Sequence, residues 1–274
     1  MTGRRCLVIP AMLAPLLLAS ALLVGGPVLG LLTARPFWPD GAVWWALAQM
    51  SATSLVLAIL GVGIATGPAL LLAGWIFQAG DRLLATLAHR ALAASAALPS
   101  IVVALAALLT FAPALVQMVA VPYSLLLAAF GLGLFATPIL ALALLAAALS
   151  GQARAEPAAA ALGLSVAENA FPLYLRCARG WTLAAGLWTL LRLVGETMVV
   201  MMLSGNRLAW PMEPWKAVRA ASADIALRAG ETPPKLWAPL HMEALGLVIM
   251  AIFLSLLARR VRRPAFRSRK EEAA

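Results

Sequence analysis

The sequence predicts an all-α polytopic membrane protein with six transmembrane helices, and three observations carry that reading. Of its 274 residues, 63% are hydrophobic and 12% charged, about half the charged share of a soluble domain. The apolar residues gather into six runs. At about 1.5 Å per residue, each is long enough to cross a hydrocarbon core of about 30 Å. The charges gather in the short segments between runs and at the C-terminus. The net charge of +10 therefore reads as membrane topology, and nucleic acid is not an expected partner.

The first run covers about 7–32 and follows Arg4 and Arg5. It is too long for the core of a usual signal peptide and lacks a small-x-small cleavage site before Arg35, so a retained helix is expected. Phe37, Trp38, Trp44 and Trp45 follow as interfacial aromatics. The second run, about 48–74, contains Gly61, Gly63 and Gly67. These admit close helix packing or ordinary membrane-helix composition. Residues 75–91 form an amphipathic link in which His89 reads as an interfacial residue. The third run, about 92–115, opens on Leu98–Ile101, where Pro99 is expected to kink the helix. The fourth, about 122–148, contains Pro138.

Residues 149–180 are polar at first and then alanine-rich. They predict two short helices around a turn near Gly163, the second beginning at Ser165. Such a shape suits a partner protein. The fifth run is about 181–204. Residues 206–237, rich in Trp and Pro, predict an exposed loop. The sixth run is about 239–258, followed by a basic tail. With the N-terminus inside, 14 basic residues fall on inside segments and 6 on outside segments. That asymmetry predicts both termini in the cytoplasm, and 149–180 with them.

The chemistry concentrates in Leu191–Asn206, LRLVGETMVVMMLSGN. Arg192 and Glu196 are four apart and share a helix face. An isolated charge at mid-membrane costs roughly 2.5–3.5 kcal/mol on insertion scales, so such residues face protein or a wet path. The pair admits three readings: a lock between helices, the lining or gate of a polar path, or a helix end near water. The guanidinium's planar fork suits a phosphate-like oxyanion. Glu243 lies at the outer end of the sixth run, with a structural role or a place in an outer path. Met198, Met201 and Met202 read as flexible packing. Cys6 and Cys177 predict no disulfide, and no Cys/His cluster has metal-ligand spacing. No phosphate-binding Gly-rich loop and no hydrolytic triad is present, so the chain is not expected to be an enzyme.

Gly195–Asn206, preceded by Arg192, resembles the fifth-helix signature of the phosphate-type permeases of ABC importers, PstC-like subunits in particular. LPSIVVAL at Leu98–Leu105, AAAALGLS at Ala158–Ser165 and the final helix are similar to that family in the same order, over roughly 45–263. The resemblance implies a type I ABC importer permease fold. It divides the chain into an N-terminal helix and link (1–46), a permease core (47–263) and a cytoplasmic tail (264–274).

The resemblance also implies partners: a second PstA-like permease subunit or a second copy of this chain, a pair of ATP-binding subunits, a periplasmic or lipoprotein substrate-binding protein, and membrane lipid. It further implies that this chain binds no cofactor and that ATP and Mg are used by the partner ATPase. Arg192, Glu196, Thr197 and Asn206 are implied as path or gate. Glu156, Ala158, Ala159, Gly163 and Ser165 are implied as the ATPase-coupling loop. The sequence departs from the family at Pro157, where the loop's leading Glu is usual, and at Arg176, where Pro is usual. Val166, Ala167 and Phe171 replace common polar residues. The expected setting is a bacterial inner membrane and the expected cargo phosphate, with tungstate or molybdate on the same machinery as an alternative. A non-transporting scaffold or assembly subunit and an ion-coupled carrier are the other readings, the carrier disfavoured by the lack of inverted repeats.

Overall fold

The computed structural model describes residues 41–79, 82–161, 170–231 and 238–262, together with Gly25. Nine helices order these residues: α1 Gly41–Gln78, α2 Arg82–Ala96, α3 Ser100–Val119, α4 Leu125–Ala161, α5 Ala170–Cys177, α6 Arg179–Val194, α7 Met198–Leu203, α8 Ala221–Ala229 and α9 Ala238–Arg262. The all-α reading holds for them.

Among the described residues, α1, α3, α4 and α9 are long and apolar enough to cross a membrane. This corrects the expectation of six spans. The expected first span, with Phe37 and Trp38, lies outside the described residues. The expected fifth span is not one helix. It breaks at Gly195–Thr197 into α6, of 16 residues, and α7, of 6.

The core is built around α4. Over its spanning stretch 61% of residues are buried, against 17–28% in the other three spans. Its inner face carries Ala128, Ala129, Leu132, Ala136, Leu140 and Ala141, all buried. α1 presents a matching stripe of Leu57, Ala58, Gly61, Ala65, Ala69 and Ala73 at spacings of three and four. Small residues on both sides let the backbones approach. A Cβ on Gly61 would sit 2.9 Å from Leu132 Cβ, whereas one on Gly63 or Gly67 would meet nothing within 4 Å. Close packing therefore explains one of the three glycines.

The ends of α1 locate the two faces of the bundle. Trp45 stacks edge-on against Trp210 at 5.1 Å. At the opposite end Phe77 meets Phe171 of α5 at 5.6 Å and Tyr174 at 5.7 Å. α1 thus runs from the 206–237 loop to the segment expected in the cytoplasm.

Three further local readings change. Pro99 does not kink a helix. It stands at the N-terminus of α3 with φ −58° and ψ 132°, an extended conformation that separates α2 from α3. Residues 149–161 do not form a separate short helix but prolong α4, since the alanine run propagates the existing helix without a new nucleus. The loop at 206–237 is not simply exposed. Val218 and Ala220–Asp224 are buried, and the loop contains α8.

That loop also finishes α4. A helix start leaves backbone N–H groups unpaired. Here Ser124 N–H donates to Leu203 O (3.1 Å), Leu125 N–H to Lys216 O (3.0 Å) and Leu126 N–H to Pro214 O (2.9 Å). Leu127 N–H donates to Ser124 Oγ (3.1 Å). The central helix, the end of α7 and the 206–237 loop are fastened together there.

Candidate functional site: an ion pair at a broken helix

α6 ends at Val194 because the chain turns at Gly195, with Glu196 N–H reaching back to Leu193 O (3.0 Å). Thr197 precedes α7, half-buried, its hydroxyl 3.5 Å from Gly195 O. Across this turn Arg192 Nη1 donates to Glu196 Oε2 at 2.9 Å. The expected pair exists, although only Arg192 is helical.

The partners differ in environment. The Glu196 side chain is 4% exposed and that of Arg192 51%. Arg192 also lies over the Phe135 ring, 4.9 Å from its centroid, a placement favoured by the ring's quadrupole. Phe135 is ten residues into α4, or about 15 Å at 1.5 Å per residue. Arg192 is a cation with a single hydrogen bond among the described residues. Its remaining N–H groups can serve an incoming acceptor without breaking the pair.

The other expected site residues fall in different places. Asn206 closes the end of α7, roughly 10 Å beyond the break by helix rise. Its φ is +52°, which Asn tolerates better than most residues. Its Nδ2 donates to Met201 O (2.7 Å). Glu243 is buried in α9, with Oε1 3.7 Å from Arg228 Nη1. Glu156, Ala158 and Ala159 lie on the last turns of α4 with Pro157. Gly163 and Ser165 lie outside the described residues. Of the three methionines expected as packing, Met201 and Met202 lie against the core, whereas Met198 is exposed. No group of three or more potential metal-ligating side chains occurs among the described residues.

Sequence reasoning missed a second charged cluster beside the break. The Asp224 side chain is 1% exposed, and Arg219 Nη1 (3.0 Å) and Arg228 Nη1 (2.9 Å) donate to its two oxygens. Arg228 is shared with Glu243. Arg219 Nε also donates to Asn206 O (2.7 Å). Next to Asp224, Ser222 Oγ donates to Glu196 O (3.1 Å), and Ala221 N–H donates to Ser54 Oγ of α1 (3.0 Å). The i,i+4 spacing of Asp224 and Arg228 was a readable signal. The reach of Ser222 across 26 residues was not.

No protein-family model matches the chain, and no curated protein does. Among solved structures the bundle is similar to a chain of the MetNI methionine ABC transporter, crystallised in inward-facing conformations. The TM-score is 0.61 at 16% identity, over 82% of this chain and 98% of that one. A likeness at that identity establishes the fold alone, that of the matched ABC-transporter chain.

Proposed function

We propose that the chain is the membrane-spanning permease subunit of an ATP-driven importer, and that its cargo is an oxyanion, phosphate first. The observation that carries the reading is the ion pair at Gly195–Thr197. A half-exposed guanidinium stands beside a helix break, held by a buried carboxylate, and on this reading it lies within the bilayer. Non-helical backbone at that depth is tolerated where it is buried in protein or lines a cavity. A permease fold supplies the reason for such a cavity.

Glu196 fixes the orientation of Arg192 and offsets its charge. A planar cation can then receive a tetrahedral anion through its remaining N–H groups. Tungstate and molybdate present the same oxygen geometry. They are the next cargoes on this reading.

The partners follow from the work required. ATP and Mg are used by a pair of ATP-binding subunits docked in the cytoplasm near the end of α4 and α5. An extracytoplasmic binding protein delivers the anion, and a second permease subunit completes the path. The setting is a bacterial inner membrane with both termini inside.

The test is purification of the intact complex from membranes, followed by reconstitution. An ATPase that co-purifies and drives phosphate uptake supports the reading. An ATPase that co-purifies and drives tungstate but not phosphate uptake moves the cargo. No bound ATPase overturns the importer assignment and favours a scaffold.

A further inference from the structure

The outer loop holds α7 at both of its ends. At one end Arg219 Nε donates to Asn206 O (2.7 Å). At the other, Ser222 Oγ donates to Glu196 O (3.1 Å). Arg219 and Ser222 are three residues apart, and the six residues of α7 lie between their targets. The loop segment is itself fixed. Asp224 receives Arg219 and Arg228, and Ala221 N–H is tied to Ser54 on α1.

Leu193, Val194, Glu196, Val199 and Val200 are buried around the break, and Ser222 supplies the hydrogen bond to the Glu196 carbonyl. Glu196 lies outside the regular ladder of either helix, so its carbonyl is free for a partner from elsewhere in the fold. Gly195 sits in open surroundings, since a Cβ there would find only Arg192 O at 4.0 Å. A small residue in open space at a helix end can absorb a rotation of the segment beyond it. On its far side the loop exposes Met212 and Trp215.

We infer that Ser222 is a positioning residue that latches the broken helix, with Asp224 and its two arginines holding the latch in place. Release of the Ser222 hydroxyl from the Glu196 carbonyl lets α7 turn about Gly195 and opens the Arg192–Glu196 pair to the outside. The inference rests on the proposed importer function only for what moves the loop. The latch itself is geometric.

The experiment uses the full chain in spheroplasts, with Cys6 and Cys177 replaced by Ser and Thr197→Cys as a probe beside the break. The readout is the rate of modification by a membrane-impermeant maleimide from outside, with ATP-driven phosphate uptake measured in parallel. Ser222→Ala is expected to raise the labelling rate about two- to tenfold, the range that loss of one net hydrogen bond supplies. Ser222→Thr, which keeps a hydroxyl, is expected to restore it towards the starting value. Asp224→Asn is expected to raise it as well, which keeps the test decisive if either Ser222 variant is poorly inserted. Faster labelling without uptake in the unmodified chain supports the latch and removes the importer reading. Unchanged labelling in both Ser222→Ala and Asp224→Asn, with uptake by the unmodified chain, overturns the latch alone.

Discussion

The Arg192 guanidinium and the Glu196 carboxylate meet at 2.9 Å across a break that separates a 16-residue helix from a 6-residue one. Four residues of spacing would give the same pair on a continuous helix. The break changes its meaning. The carboxylate lies outside the helix that bears the cation.

Removing the two partners should have unequal effects. Arg192→Ala leaves Glu196 buried without its cation, whereas Glu196→Gln leaves a half-exposed arginine that water can reach. Uncompensated buried charge is the costlier of the two. Half-exposure of Arg192 screens part of the interaction, so the expected difference is about 1–2 kcal/mol in stability, smaller than for a fully buried pair. Thermal unfolding of the purified chain checks it, and a larger loss in Glu196→Gln would contradict the assignment.

The α1–α4 seam gives a contrast among glycines. Gly61→Val forces side-chain volume against Leu132 and Leu193 and should destabilise by about 1–3 kcal/mol through overpacking. Gly63→Ala and Gly67→Ala meet open space and should leave the unfolding midpoint unchanged or slightly higher. Equal behaviour of all three would mean that the seam is not as close as described.

At the α5 end of the bundle, Gly151 faces the Tyr174 carbonyl so closely that any Cβ there collides with it. Gly151→Val should push α5 away from α4 and lower coupled uptake, with the ATPase still bound. Gly163→Asp should likewise uncouple ATP hydrolysis from uptake by disturbing the turn expected there. Basal and cargo-stimulated ATPase activities of each variant separate coupling from assembly. Unaltered stimulation would remove these residues from the coupling path.

The two kinds of ion pair in the 206–237 loop should also separate. Asp224 is buried between two guanidiniums, and Asp224→Ala strands both. About 2–3 kcal/mol is expected, below the range for fully buried pairs because both arginines are partly exposed. Lys216 and Glu213 pair at 2.5 Å with both side chains about 60% exposed, and Lys216→Ala should have no measurable effect. Paired unfolding curves test the ranking.

The apolar runs and the Arg192–Glu196 spacing were legible because both are local properties of the chain. The break was not, since Gly195 and Thr197 are tolerated within membrane helices and nothing else in LRLVGETMVV marks a stop. The prolonged α4 was hidden by polarity at Ser150–Glu156, which reads as a loop until the helix already formed on its N-terminal side is considered. The burial of 218–224 was illegible for a different reason. A buried Asp224 is affordable only when Arg219 and Arg228 arrive from both sides, and the sequence between Asn206 and Glu243 does not say that they will. Ser222 and Ser54 carry no signal at all, because a serine hydroxyl becomes informative only when its acceptor or donor is known.

The most direct test of the account is ATP-driven uptake of radiolabelled phosphate by the reconstituted complex, comparing the unmodified chain with Arg192→Ala at equal amounts in the membrane. The account predicts uptake in the first and its loss in the second, with the ATPase still bound in both. Undiminished uptake by Arg192→Ala would contradict it, because the ion pair at the broken helix would then lie outside the path.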